Sequence, residues 1–315
     1  MTGALCPFIL IAMRSALPFV LTPALCMAAA ALAQEGMASD AAKAQMDRAI
    51  ADYRSGDLTH ARQELRELHA SHPQDVRAAV LLGYTCIKLE RDAEAYDAVA
   101  GLEKGNESDL DLEYVLGYAM IRTRRAREGV PLMEKVARAR HAADAWMIAG
   151  AMRFEMGQFK EAQADAEEAV RINADYPGAQ TLNGKCLFAA GNHEAASTAF
   201  RAALLKDPND FDANLYLGAV YSQRGDYASA RPLLELALTI RPDWPLAKLE
   251  LAKVYRSLGN YAGAIQLLES LTKSVPEWPE PHIVLSNLYN IVNRTEDGRR
   301  ERAIVQQLED KQGGP

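Results

Sequence analysis

The sequence predicts an all-α fold, a solenoid of about eight helix–turn–helix units, and three regularities predict it. A small residue recurs at one phase: Ala49, Gly83, Gly117, Gly150, Gly184, Gly218, Ala252 and Ser286, at steps of 34 residues except 33 from Gly117 to Gly150. A fixed period of that length marks stacked supersecondary units, none of which buries its apolar face alone. Apolar residues then follow at helical spacing, as in Tyr227, Ala230, Leu234 and Ala237, which form one face of a second helix. Proline stops successive units at matching places, Pro208, Pro242 and Pro276.

The unit from Asp210 to Arg241 shows the logic. Leu217-Gly218 and Tyr221 belong to a first helix, and Gly225 ends it by taking the left-handed conformation at little steric cost. Small residues at Gly218 and Ala230 let the two helices approach, while Tyr221 and Leu234 fill the space between them. The next unit repeats this with Ala252, Tyr255, Gly259, Tyr261, Ala264 and Leu268. Pro245 and Pro279 suit the first turn of the following helices, and Trp244 and Trp278 are expected to pack at the corners between units. Four places depart from the pattern: Glu90 and Arg124 replace the turn glycine, Gly105-Asn106 replaces a proline, and Pro177 comes three residues after Ala174, where one is due. Irregularity is therefore expected around residues 100–130. Asn293 takes the last turn, and the charged helix from Thr295 to Asp310 suits a terminal cap with a wet outer face.

The first 34 residues stand apart. Arg14 is the only charge before Glu35, and the apolar run from Ala16 ends in Ala31-Leu32-Ala33, the pattern of a secretory signal cut after Ala33. The expected organisation is a signal at 1–33, a linker at 34–40, the repeat array at 41–310 and a tail at 311–315. Met13 is an alternative translation start. A retained membrane-tethering anchor is the competing reading, disfavoured by Pro18 and Pro23. Cys26 lacks the small preceding residue of a lipoprotein signal. Cleavage leaves Cys86 and Cys186, read as buried and unreactive.

The 315 residues carry a net charge of −7 with no block of Lys and Arg, which argues against a nucleic-acid partner. No phosphate loop, zinc spacing or nucleophile elbow is present, so neither a cofactor nor catalysis is expected. His60, His69 and His72 read as solvated side chains rather than a metal site. Asp207, Asp210 and Asp212 read as helix-start residues rather than a calcium loop.

The in-phase residues, with Trp146 four before Gly150, resemble the tetratricopeptide repeat family over about Ala41 to Leu308. That resemblance implies a right-handed superhelix whose first helices line a concave groove that receives a protein or peptide. The positions implied for this groove include Tyr53, Arg54, Tyr84, Lys88, Tyr114, Tyr118, Arg122, Phe154 and Lys185, with Arg54, Lys88 and Arg122 forming a basic ladder beside an aromatic strip. Later units contribute Arg256, Asn287, Asn290 and Ile291. The carboxylate clamp of the chaperone-binding members is absent, since Met46, Val80, Leu81 and Val115 hold its positions. The function expected is a non-enzymatic scaffold in a bacterial envelope, with no membrane span once the signal is removed. An accessory subunit docking on an envelope enzyme, or a glycan or small-ligand binder using the aromatic strip, are the alternatives.

Overall fold

A computed structural model describes residues 40–312. The signal expected at residues 1–33 lies outside the described residues. Among them there are sixteen α-helices and no strand. The first helices of the hairpins are α1 (Asp40–Ser55), α3 (Val76–Lys88), α5 (Leu110–Arg122), α7 (Ala143–Glu155), α9 (Ala179–Ala189), α11 (Phe211–Gln223), α13 (Pro245–Ser257) and α15 (Pro279–Ile291). The second helices are α2 (Leu58–Ser71), α4 (Asp92–Val99), α6 (Ala126–Arg140), α8 (Phe159–Ile172), α10 (His193–Lys206), α12 (Tyr227–Ile240), α14 (Tyr261–Ser274) and α16 (Thr295–Gln312). The chain forms two compact units that divide between Ala179 and Gln180.

The in-phase small residues do the work expected of them. A side-chain carbon added to Gly218 would sit 2.7 Å from Leu234, and one added to Gly184 would sit 2.6 Å from the Phe200 ring, so each large second-helix residue packs directly on the backbone of its own first helix. In the second unit Phe211, Leu215, Ala230, Leu234, Ala237 and Leu251 form one buried cluster. Trp244 borders it with its ring edge-on to Phe211 at 5.3 Å, and Arg241 lies over both rings. The expected corner role of Trp244 holds, and Pro245 and Pro279 occupy the first turns of α13 and α15.

Seven hairpin turns share one backbone hydrogen bond of 2.7–2.9 Å, from the residue after the left-handed position to the carbonyl five residues back: Arg91 to Cys86, Arg125 to Met120, Gln158 to Arg153, Asn192 to Leu187, Asp226 to Tyr221, Asn260 to Tyr255 and Arg294 to Tyr289. Glu90 and Arg124 take φ of 56° and 69° in these turns, beside 79° at Gly225. The expected irregularity at these two residues is therefore corrected: the turn is kept, with side chains in a conformation that disfavours them. What does change is the second helix of that hairpin. α4 has only 8 residues, and the chain then runs to Asp109 through Gly101 and Gly105, both at positive φ. Leu102 is buried there, and Lys135 Nζ donates to the Glu107 carbonyl at 2.6 Å.

Asp75, Asp109 and Asp210 cap α3, α5 and α11 by accepting backbone N–H groups, as expected for Asp210. Cys86 and Cys186 are buried, and burial pushes the Cys86 thiol up to about 12, so it is unreactive. His60 is exposed and pairs with Asp57 at 2.5 Å. His69 and His72 are half-buried rather than fully solvated.

Candidate partner-binding face

The expected groove residues divide into buried aromatics and cations at different depths. Tyr53, Tyr84, Tyr114 and Tyr118 are 5–6% exposed. The Tyr84 hydroxyl donates to Asp111 Oδ1 at 2.8 Å, Asp111 also accepts from Arg140 Nη1 at 2.9 Å, and Tyr114 donates to Asp144 Oδ2 at 3.3 Å. The Tyr84 and Tyr114 rings lie 5.8 Å apart. Burial, with a carboxylate beside each hydroxyl, holds both phenols well above their usual range, and burial pushes Tyr118 up to about 12. These side chains are neutral and engaged inside the protein. Phe154 is half-buried against Phe159, with centroids 5.1 Å apart.

The cations are also mostly committed. Arg122 Nε meets Asp92 Oδ2 at 3.0 Å, so it ties α5 to α4. Lys88 Nζ sits 4.2 Å from the centre of the Tyr53 ring, a cation–π contact. Lys185 Nζ meets Asp212 Oδ2 at 3.2 Å. Arg54, at the end of α1, is exposed.

One recurring arrangement joins several of these residues. Tyr84 reaches Asp111, Lys185 reaches Asp212, and Lys253 Nζ reaches Glu280 Oε1 at 2.8 Å. Each donor directly follows the in-phase small residue, and each acceptor lies in the first turn of the next first helix. The acceptors Asp92, Asp111, Asp144, Asp212 and Glu280 escaped sequence reasoning, which assigned first-turn acids to helix starts alone. The signal was present as a donor followed at 27 residues by an acid.

A buried ion cluster completes the first unit. Arg153 Nη1 donates to both oxygens of Asp165, at 2.7 and 2.8 Å, and its Nη2 donates to Glu134 at 2.8 Å. Asp165 is 2% exposed, and burial, opposed by Arg153, raises its carboxyl to about 6. Among the described residues no group of three or more His, Cys, Asp or Glu is placed to hold a metal ion, and no helix is long and apolar enough to cross a membrane. A shallow depression of about 410 Å³ lies between α14 and the turn after α15, lined by Ala262, Ile265, Gln266, Glu269, Val292 and Arg294. Its two charged groups face each other at 3.7 Å.

Paired helices joined by a common turn, with a small residue at each crossing, define a helical-repeat protein whose surface is built for contact. Tetratricopeptide repeat models match residues 46–108, 149–204 and 181–245 in one case and 221–288 in another. The chain belongs to the tetratricopeptide repeat family. No curated protein matches it in sequence. Among solved structures, the pilF protein of Pseudomonas aeruginosa is 16% identical, with 65% of this chain and 93% of that one covered and a TM-score of 0.55. The Cut9–Hcn1 hetero-tetramer of the APC/C is 14% identical, with 84% and 53% covered and a TM-score of 0.58. MamA from Desulfovibrio magneticus RS-1, residues 41 to the end, is 23% identical, with 55% and 97% covered and a TM-score of 0.49. At these identities the likeness is one of fold.

Proposed function

We propose that the protein is a non-enzymatic interaction scaffold of a bacterial envelope, which holds a peptide segment or protein subunit against the first helices of its hairpins. The observation that carries this reading is the repeat array itself. Helical hairpins occupy residues 40–312, in a family whose members bind proteins and peptides. The export part of the proposal rests on the apolar run ending in Ala31-Leu32-Ala33.

The buried tyrosines speak against the glycan-binding alternative, because Tyr84 and Tyr114 spend their hydroxyls on Asp111 and Asp144. A partner meets the rim cations instead: Arg54, and Lys88 where it lies over Tyr53. Arg122 is less suited to direct contact, since Asp92 already balances its charge.

Crosslinking and pull-down of the tagged protein from its native envelope tests the reading. Arg54→Glu with Lys88→Glu is expected to abolish capture of the crosslinked partner while the helical circular dichroism is unchanged. Undiminished capture by that variant removes the rim cations from the reading. Substrate turnover by the purified, partner-free protein would overturn the scaffold itself.

A further inference from the structure

Helix α15 presents a face that the repeat row leaves open. In earlier hairpins the corresponding first-helix positions point at the following repeat and are closed by it. Lys185 and Lys253 bond to the next first helix, and Leu215 and Leu249 are 1% and 0% exposed. Their counterparts on α15 are Asn287 and Ile283, followed one turn later by Ile291. Ile283 is 44% and Ile291 49% exposed. Asn287 is exposed too, and its amide has no hydrogen bond among the described residues. Residues 283, 287 and 291 are spaced four apart, so they form one continuous ridge along the helix.

We propose that this ridge is the interface of a two-fold homodimer, in which α15 of a second copy crosses it antiparallel. Three features favour a second copy as the occupant. The ridge is symmetric about Asn287, so an antiparallel crossing sets Ile283 against the partner's Ile291 and Asn287 against its own equivalent. A carboxamide both donates and accepts, so two facing asparagines satisfy one another, and a slipped register leaves both unpaired. Ridges of this spacing interdigitate in the commonest class of helix crossing.

The third feature is the chemistry of α1, which excludes head-to-tail stacking. A copy stacking as a ninth repeat would set the leading face of α1 on α15. That face carries exposed Asp47 and Arg48, where α3 has Leu81-Leu82 and α15 has Val284-Leu285. Stacking would strip Asp47 of water without a partner and bury the Arg48–Glu64 pair, now 3.0 Å apart at the surface. The remaining arrangement is closed, the same patch on both copies. It shares Asn287 and Ile291 with the groove positions that the resemblance implies, but its test is separate from that of the scaffold reading, which rests on Arg54 and Lys88.

Sedimentation of the purified protein over a concentration series tests it, together with oxidative crosslinking of Asn287→Cys. The expected result is a reversible species of twice the chain mass, converted to the single mass by Ile283→Asp with Ile291→Asp at unchanged helical signal. Asn287→Cys, next to the two-fold axis, is expected to give a covalent dimer, and Arg48→Cys to give none. A protein monomeric throughout the series, a dimer surviving the double Asp variant, or an open-ended ladder of oligomers would each overturn the proposal.

Discussion

The two units are built from the same hairpin yet close it with different chemistry. In the second unit three of the four turns read Gly191-Asn192, Gly225-Asp226 and Gly259-Asn260, and the last, Asn293-Arg294, holds a φ of 61° without glycine. The glycine takes positive φ, and the next side chain caps the second helix by accepting a backbone N–H three residues on. In the first unit only Asp57 caps in this way. Arg91, Arg125 and Gln158 provide no side-chain cap, and Glu90 and Arg124 hold the left-handed turn without being glycine. That unit carries polar ties between helices, Arg62–Glu94 at 2.8 Å, Arg122–Asp92, Lys135–Glu113, Arg140–Asp111 and the Arg153 cluster, and the second unit has ties of its own in Lys185–Asp212, Arg224–Glu194 and Lys253–Glu280. One backbone turn can thus be set by local preference or imposed by tertiary contacts, and the repeat tolerates both.

The contrast breaks most sharply at Arg153. Arg153→Met strands Asp165 in the interior and is expected to cost about 3–5 kcal/mol, read as an earlier urea transition of the first unit with the second unchanged. Asp165 also makes this region pH-sensitive. The native carboxyl keeps its proton up to about 6, whereas an unfolded aspartate releases it near ~4. Below that window both states are protonated. As pH rises through it the unfolded state gains the advantage, so stability falls. Urea midpoints at intervals across the window are expected to show this decline, and Asp165→Asn to flatten it.

Packing at the hairpin crossing gives the next largest effect. Gly184→Ala drives a carbon into the Phe200 ring and is expected to cost about 1–3 kcal/mol, seen as a lower urea midpoint for the second unit. Capping follows. Asp226→Ala is expected to lose about 1 kcal/mol, while Gln158→Asp, at a near-identical backbone geometry, gains a similar amount. Smallest are the turns: Glu90→Gly or Arg124→Gly relieves the left-handed strain and is expected to stabilise by about 0.5–1 kcal/mol, whereas Gly225→Ala loses a comparable amount. If glycine at 90 or 124 instead destabilises, the turn there is held by its side chain and the two units differ more deeply than capping.

The hairpins were legible because their causes are local and repeated. Gly218 against Leu234, Pro245 in a first turn and Asp210 as a cap each follow from residue type at a fixed phase. The course of 100–109 was only partly legible: Gly105-Asn106 flagged it, but the early stop of α4 depends on Leu102 finding a buried place and Lys135 reaching back from α6. The surroundings of the candidate site residues were not legible. The resemblance put Tyr84, Arg122 and Lys185 on first helices, where they lie, yet it could not show that carboxylates from neighbouring helices meet them. Those partnerships depend on how one repeat sits on the next, which a pattern within a repeat does not encode.

The reach of Tyr84, Lys185 and Lys253 to acids 27 residues ahead gives the array a direction in time. During synthesis each of these three donors leaves the ribosome before its acceptor exists. Lys253 has Glu250 of its own helix to hold it meanwhile, whereas a chain halted after the second or the fifth hairpin leaves Tyr84 or Lys185 without the acid that the next first helix brings.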